Sequence, residues 1–136
     1  MSSDAPALLS VEEANARLLA PGSPFELTEE EVLGETRQVY KTRARSLPQL
    51  LQASAAHGDK DYMVFSDGRR WTYADHLAEV ASVAAAFRDR YGIGKGDHVA
   101  ILAANAPEWV LSYWATVSLG AVVISMNGWW QGDEIR

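Results

Sequence analysis

The glycine-rich segment Tyr91–Gly96 is the first place in the sequence where phosphate chemistry would be sought. Glycines that bind a phosphate follow a strand and open a helix, so that free backbone N–H groups face the anion. Here the three glycines follow an amphipathic helical pattern and precede an apolar, strand-like run. Where the chain passes from strand to helix, at residues 103–108, there is no glycine and Glu108 adds negative charge. This order argues against nucleotide binding by the unit alone.

Side chains that bind metals or act as nucleophiles are sparse. The chain has no cysteine, which excludes disulfides, thiolate zinc sites and a cysteine nucleophile. Its three histidines, His57, His76 and His98, are not at metal-ligand spacing from one another. We interpret them as structural. We predict no catalytic, cofactor-binding or metal-binding residue among the 136 residues.

The segment Asn127–Trp130 is the strongest candidate for ligand contact. Its two adjacent tryptophans follow an apolar run that has strand character. Ligands of open α/β sheets bind outside the carboxyl ends of the strands, where these tryptophans would lie. The alternative, which we favour, is that they form a hydrophobic seam against further protein.

The element that must position this segment is a strand, a helix and a second strand. Residues 98–104 and 121–126 are short apolar runs of strand character, and residues 106–119 between them are helical. Gly120 can end the helix in the left-handed conformation. Two strands joined through a helix lie parallel in one sheet. The sequence therefore predicts an α/β fold with a partial sheet built on a parallel βαβ unit.

Helix starts are indicated by capping-box patterns, in which an N-cap residue precedes Glu, Gln or Asp by three positions. Five residues begin such a pattern: Ser10, Thr28, Ser46, Thr72 and Asn105. We predict flanking helices after each, the first ending near Ala20, the second lasting one or two turns and the third ending by Gly58. The third is expected to direct three leucines inward: Leu47, Leu50 and Leu51. The fourth is the longest, with one apolar face: Leu77, Val80, Ala84, Phe87 and Tyr91.

Two strand patterns lie outside the βαβ unit. Residues 62–71 predict a β-hairpin, in which Asp67 and Gly68 supply the positive backbone angles of a tight turn. Residues 38–41 have strand composition.

Charge divides the chain near residue 45. Up to Glu35 there are eight acidic residues against Arg17 alone, and four basic residues follow within residues 37–45. We interpret this as a solvated face beside a neutralising segment, rather than a docking site. We predict a helical and extended segment at residues 1–45, packed on a core, and the first part of a larger domain at residues 46–136.

The helix at 106–119 is apolar around its whole circumference, with Glu108 as its only charged residue. Such a helix is buried on all sides, and covering it requires protein beyond the sheet beneath it. We therefore expect the 136 residues to be the first part of a longer polypeptide, whose remainder is the main partner. An uncovered apolar face would favour self-association.

Composition limits the remaining partners. The net charge of −6 argues against a nucleic-acid surface, which needs clustered Lys and Arg. No apolar run is long enough to span a membrane, and the acidic start lacks the features of a signal peptide. We expect a soluble, cytoplasmic protein.

Three blocks, in order, resemble the motifs of one family. Trp71–Leu77 resembles T-Y-x-E-L, Gly94–Trp109 resembles G-D-x-V-A-I-x-x-x-N-x-x-E-W, and Leu119–Asn127 resembles L-G-A-x-x-x-x-x-N. These motifs are typical of the adenylate-forming enzymes: acyl-CoA synthetases, luciferases and adenylation domains. The stretch before Ser46, which includes Pro24–Leu27, resembles fatty-acid–CoA ligases more than amino-acid-activating domains. Asn127–Trp130 departs from the commoner Asn-Pro, which leaves the acyl class open.

The resemblance implies an N-terminal part of an ATP-dependent acyl-CoA ligase, which activates a carboxylic acid as an acyl-adenylate and transfers it to coenzyme A. It implies ATP, Mg²⁺ and coenzyme A as cofactors of the complete enzyme. Family members carry their phosphate loop, magnesium-binding glutamate, ribose-binding aspartate and catalytic lysine in later segments. We therefore expect the 136 residues to be inactive scaffold that binds none of these cofactors.

Three alternatives remain. The parent enzyme could be another adenylate-forming enzyme, such as an aryl-CoA ligase or an acyl-AMP ligase. The chain could instead be a self-contained interaction domain without catalysis. A dinucleotide-dependent oxidoreductase is disfavoured, because residues 103–108 lack the required glycines.

Overall fold

In a computed structural model that describes residues 8–135, the chain forms two compact units, Met1–Ala44 and Arg45–Arg136. The first unit contains helix α1 (Val11–Leu18) and a hairpin of strands β1 (Leu27–Val32) and β2 (Glu35–Tyr40). Helix α1 begins as predicted at Ser10. The Ser10 hydroxyl accepts from the Glu13 backbone, and the Glu13 carboxylate accepts from the Ser10 backbone N–H.

The predicted helix after Thr28 is wrong, because Thr28 lies within β1. Strands β1 and β2 pair antiparallel across a two-residue turn at Leu33 and Gly34, which have φ of 52° and 82°. Positive φ at both positions is the requirement of a tight hairpin turn whose twist matches the strands. A capping pattern is local, and here pairing with residues up to thirteen positions away overrides it.

Two residues of the basic segment pair with acidic residues in and beside β1, in agreement with the predicted neutralising segment. The Lys41 ammonium lies 2.7 Å from the Glu26 carboxylate. The Arg43 guanidinium lies 2.5 Å from the Glu30 carboxylate. Hydrogen bonds from Lys41 and from the Gly22 backbone lower the pKa of Glu26.

The second unit begins with two helical segments and a hairpin. Helix α2 (Leu47–Ala53) continues as one 3₁₀ segment (Ser54–His57) that ends at Gly58. Strands β3 (Asp61–Val64) and β4 (Arg70–Thr72) pair antiparallel, which confirms the predicted hairpin. Of the two turn residues expected to take positive φ, only Gly68 does, at 86°. The expectation for Asp67 is wrong because the loop contains three residues, closed by a Phe65 to Arg69 backbone bond, and needs only one such angle.

The rest of the unit contains the longest helix and the predicted βαβ unit. The elements are helix α3 (Tyr73–Tyr91), strand β5 (His98–Ile101), helix α4 (Pro107–Ser118), strand β6 (Val122–Ser125) and the short helix α5 (Gly132–Ile135). Strands β5 and β6 pair in parallel, from His98 opposite Val122 to Ile101 opposite Ser125. This confirms the parallel unit, with narrower bounds than the sequence predicted.

Helix α4 does not begin with the predicted capping box. Its N-cap is Ala106, with extended backbone angles (φ −144°, ψ 159°), and no side chain caps the helix. Pro107 decides this start, because proline fits the first helical position and forces the residue before it into an extended conformation. Asn105 therefore lies one position too early to cap. The predicted end is correct, since Gly120 takes φ of 74° after the last turn.

The core of the second unit lies where three helices meet. It contains Leu51 of α2, Val80 of α3 and Leu111 of α4, with four partly buried side chains against them: Trp71, Leu77, Val83 and Trp114. The expectation that α2 buries three leucines is wrong for Leu47 and Leu50, which are exposed. Contact with α4 covers only one stripe of the surface of α2. Tyr91, expected on the buried face of α3, is also exposed at the helix end.

Helix α4 is not buried on all sides. Leu111, Ala115 and Thr116 are buried, whereas Trp109, Trp114 and Val117 keep part of their surface exposed.

Among residues 8–135, no helix is both long and apolar enough to cross a lipid bilayer.

Candidate functional site

The candidate site lies at the carboxyl ends of β5 and β6. Because β5 and β6 are parallel neighbours, the segments that follow them leave the sheet at the same end. The Met126 N–H donates to the Ile101 carbonyl at 3.0 Å, which keeps the two exits together for one further residue. A cavity of about 570 Å³ opens there, lined by Ala103, Ala104, Asn105, Trp109, Met126, Asn127, Gly128 and Trp129. We refer to it as the strand-end cavity.

Gly128 allows the two exit loops to approach each other closely. A Cβ atom at this position would lie 3.3 Å from the Ala103 carbonyl oxygen, which is tighter than ordinary contact. Any other residue would therefore push the loops apart by a few tenths of an ångström. The glycine sets the spacing of the cavity's two walls.

Asn127 shapes the loop that follows β6. Its side-chain oxygen accepts from the Trp129 N–H at 3.0 Å, and its carbonyl accepts from the Trp130 N–H at 3.0 Å. Asparagine favours turns by bonding to its own backbone two residues on. The turn leaves Trp129 at 89% of its full exposure. The indole is thus presented at the cavity instead of being packed in the core.

The opposite wall is formed by a helix. The Trp109 ring stacks on the Tyr113 ring, with centroids 5.6 Å apart and planes 7° from parallel. The two residues lie four positions apart on α4, so they face the same side of the helix. Trp109 is therefore a flat aromatic surface fixed to the first turns of α4.

The chemistry of the strand-end cavity is that of a binding surface. Its walls are mainly aromatic and aliphatic, and the polar groups of its lining side chains are the amides of Asn105 and Asn127 and the indole N–H groups of the two tryptophans. Such a surface binds apolar or flat groups and orients them with a few hydrogen bonds. None of the lining residues is a titratable acid, base or nucleophile. Among residues 8–135, no cluster of three or more His, Cys, Asp or Glu is arranged to hold a metal ion.

The structure brings together some residues that the sequence singled out and adds others. Asn127 and Trp129 lie at the strand ends and Trp129 is exposed, as both the ligand interpretation and a hydrophobic seam against further protein require. Asn105 and Trp109 were not assigned to this site from the sequence. The available signal was their position directly after β5, at the edge that β6 shares.

The glycine-rich loop and the histidines lie elsewhere. The Asp97 carboxylate accepts from the Gly94 N–H at 2.8 Å, so an acidic side chain occupies the backbone donor that a phosphate would need. His98 is exposed on β5, whereas His57 and His76 line a second cavity. The backbone donor at Gly94 is thus already paired within the loop.

Known proteins share this architecture and sequence. The profile of the family described as AMP-binding enzyme matches residues 50–136. The Bacillus subtilis protein YngI is 40% identical over 87 residues, which are 63% of this chain and 16% of YngI. The long-chain-fatty-acid–CoA ligase of Bacillus subtilis is 30% identical over 92 residues, which are 68% of this chain and 16% of the ligase.

A solved structure supports the fold. The N-terminal subdomain of Klebsiella oxytoca NpsA, in complex with 3-hydroxyanthranilyl-AMSN, matches with a TM-score of 0.63 and 25% identity. The match covers 68% of this chain and 23% of that chain. The present chain spans about a sixth of the length of YngI and of the Bacillus subtilis long-chain-fatty-acid–CoA ligase. The family profile covers well over half of the sequence, and the chain belongs to the AMP-binding family of adenylate-forming enzymes.

Proposed function

We propose that this chain is the N-terminal scaffold of an ATP-dependent fatty-acid–CoA ligase. The observation that carries the proposal is the family match over residues 50–136, together with 30% identity to a long-chain-fatty-acid–CoA ligase. The complete enzyme would use ATP, Mg²⁺ and coenzyme A in the cytoplasm. It would convert a carboxylic acid to an acyl-adenylate and then to a thioester.

In this proposal the present residues bind and position, and the chemical steps belong to other parts of the polypeptide. The strand-end cavity supplies an uncharged wall with Trp109 and Trp129 on it. An uncharged, largely apolar wall suits the apolar part of a substrate, because burying apolar surface is favourable by roughly 25 cal/mol per Å². Helix α4 and the β5–β6 pair hold this wall in place.

A second substrate class is favoured by a specific observation. The NpsA N-terminal subdomain, which is similar in fold to this chain, was solved in complex with 3-hydroxyanthranilyl-AMSN. Flat indole surfaces bind aromatic rings by stacking, and such pairs add about 0.5 to 1.5 kcal/mol. Activation of an aromatic acid is therefore the alternative to fatty-acid activation.

The experiment is an assay of acid-dependent pyrophosphate release with ATP and Mg²⁺. The 136-residue chain is expected to give no release above a buffer blank. A polypeptide extended to the length of the relatives is expected to release pyrophosphate with octanoate or palmitate. Release with 3-hydroxyanthranilate alone would select the aromatic alternative. Turnover by the 136-residue chain would contradict its assignment as scaffold.

A substitution links the cavity to this activity. In the extended polypeptide, Trp129→Ala is expected to raise the KM for the acid or for coenzyme A several-fold, because an exposed indole wall is lost. Tyr91→Ala removes an exposed aromatic ring at the end of α3, outside the residues that line the cavity, and is the matched control. Equal effects of the two substitutions would contradict a binding role for the strand-end cavity.

A further inference from the structure

The hairpin of the first unit has two outer edges, and among residues 8–135 no further strand pairs with either of them. Strands β1 and β2 are each other's only strand neighbours in that part of the chain. A two-stranded hairpin alone is marginally stable, and an edge strand presents a row of backbone groups that can pair with another chain. The two edges are therefore the places at which this unit can gain a further strand.

The pairing pattern identifies the backbone groups that point outward. The Lys41 N–H donates to the Glu26 carbonyl at 2.8 Å, which makes these two residues a hydrogen-bonded pair. Such pairs alternate with non-hydrogen-bonded pairs along an antiparallel ladder. The continuous register therefore directs the N–H and C=O groups of alternate residues outward: Thr36, Gln38 and Tyr40 on β2, which we refer to as the β2 edge, and Leu27, Glu29 and Glu31 on β1.

The outer edge of β1 is protected against pairing with its own copy. Glu29 and Glu31 are exposed and occupy two of its outward positions. A two-fold axis at either residue would place two glutamates directly opposite each other, and like charges in that arrangement are destabilising. Charged side chains on edge strands are a common means of preventing edge-to-edge pairing.

The β2 edge, in contrast, is complementary to itself. Its residues are uncharged and exposed, and the strand contains neither a proline nor a bulge. With a two-fold axis at Gln38, Thr36 lies opposite Tyr40 of a second copy, and a β-branched residue opposite an aromatic one is a favourable cross-strand pair. The same register places Glu35 opposite Lys41 of the second copy, so opposite charges meet. From residue 35 to residue 41, no two like charges lie opposite each other.

The groups that this pairing needs are only partly occupied within one chain. The Tyr40 carbonyl accepts from the Arg43 guanidinium at 2.8 Å. A carbonyl oxygen has two lone pairs, so it can accept a second hydrogen bond from another chain. The Lys41 ammonium donates to the Glu26 carboxylate at 2.7 Å, and two of its three hydrogens remain for a second carboxylate.

We propose that the β2 edge is an interface with a second copy of this chain. The two β2 strands pair antiparallel about a two-fold axis at Gln38, which joins the two hairpins into one continuous sheet. The interface is isologous, because the same edge serves both copies. One short strand from each chain forms a small contact, so the association is weak and depends on concentration. This interface is independent of the proposed ligase function.

The first test is sedimentation equilibrium of the full chain over a dilution series, with two proline variants. Gln38→Pro removes an outward N–H that makes no bond to β1, and edge strands accommodate proline at such positions. It is expected to weaken self-association roughly tenfold or more, because two hydrogen bonds between the copies are lost. Glu29→Pro removes the outward N–H of the residue opposite Gln38 on β1. It is the matched control and is expected to leave self-association unchanged.

Cysteine variants keep the proposal testable if Gln38→Pro fails to fold. The chain has no cysteine, so one introduced thiol can form a disulfide only with another copy. In the proposed register the two residues at position 38 have Cα atoms about 5.5 Å apart, within the range of a disulfide. Gln38→Cys is therefore expected to form a covalent dimer under mild oxidation. In Thr36→Cys the two thiols lie four strand positions apart, roughly 14 Å, and crosslinking is expected to be far slower.

Four outcomes would each overturn the proposal. They are a monomeric mass at every concentration, equal self-association of Gln38→Pro and the unsubstituted chain, equal losses in the two proline variants, and equal rates of crosslinking through positions 36 and 38.

Discussion

The α3–α4 helix pair and the β5–β6 sheet lie in the same unit but bury their apolar surface very differently. Val80, Leu111 and Ala115 of the helix pair are buried. In the sheet, Val122 and Ile124 alternate with inward residues and are exposed, Ile124 at 46%. The side of the sheet that faces α4 is covered and the other side is open. Within the described residues, helix packing therefore carries most of the stabilisation and the sheet carries less.

The difference has a physical origin in the number of layers. A strand of a parallel sheet is apolar on both faces because helices normally cover both. Here α4 is the helix that packs on the described β5–β6 pair, and it covers one face. The helix pair is covered further by α2, because α2, α3 and α4 meet around one core. Four predictions follow from this difference, in order of decreasing effect.

The largest effect is expected from truncating the helix core. Leu111→Ala should lower the free energy of unfolding by about 3 kcal/mol, because it removes buried contacts and leaves a cavity. Ile124→Ala on the open sheet face is the matched substitution and should cost less than about 1 kcal/mol. Urea unfolding monitored by tryptophan fluorescence measures both values. Equal losses would show that the sheet face is covered in solution, for example by self-association.

Gly120, which connects α4 to β6, should be the next most sensitive position. Gly120 has φ of 74°, and a Cβ there would lie 3.3 Å from the Lys95 side chain. Gly120→Ala should therefore cost about 1 to 2 kcal/mol, the strain of a left-handed non-glycine residue. Gly132→Ala, at a glycine with open space around it and no positive φ, is the control and should be neutral. An equal loss of stability for Gly120→Ala and Gly132→Ala in thermal unfolding would contradict the requirement for glycine at position 120.

The two helices of the pair should respond differently to removal of a capping side chain. Thr72 accepts from the Asp75 N–H at 3.1 Å, and the Asp75 carboxylate accepts from the Thr72 N–H at 2.9 Å. Thr72→Ala should cost about 1 kcal/mol. Asn105→Ala should change the stability of α4 very little, because no side chain caps that helix. A loss of about 1 kcal/mol at Asn105 would place the start of α4 one residue earlier.

The smallest effect at neutral pH should come from His76, and it should grow in acid. Burial lowers the pKa of His76 below its ordinary value of 6.5, so the folded state keeps the ring neutral while the unfolded chain takes up a proton. Because the unfolded state binds more protons, the free energy of unfolding should fall as the pH drops through the unfolded pKa. Hydrogen bonds keep the pKa of Asp75 and Glu26 low, so these carboxylates contribute at lower pH.

The measurement is urea unfolding at about pH 7.5 and about pH 5.5, on either side of the ordinary histidine pKa. The loss of stability between the two values should be smaller in His76→Phe than in the unsubstituted chain. His98→Phe replaces an exposed histidine and should leave the loss unchanged. An equal pH dependence in all three proteins would contradict a buried, neutral His76.

The sequence predicted best those features that depend on neighbouring residues. The capping boxes at Ser10 and Thr72 and the chain reversal at Gly120 involve residues within a few positions of one another, and all are present. The parallel pairing of β5 and β6 was also predictable, because a helical crossover permits no other arrangement. The family resemblance was predictable because three motifs retain their order and spacing.

The errors arise where a more distant or stronger constraint overrides a local pattern. At Thr28, pairing with β2 replaced the predicted helix, and at Asn105 the ring of Pro107 moved the helix start by one residue. The strand-end cavity was only half predicted. Asn127 and Trp129 were visible as a motif, whereas Trp109 joins them through the topology of the sheet.

The glycine at position 128 limits how the width of the strand-end cavity can change. With the Ala103 carbonyl only 3.3 Å from where a Cβ would be, the gap between the two loops is already at its minimum for backbones in contact. Substitution there can only widen the mouth. Gly128 is therefore a position at which a single methyl group would both widen the gap between the loops and add to the surface that a guest touches.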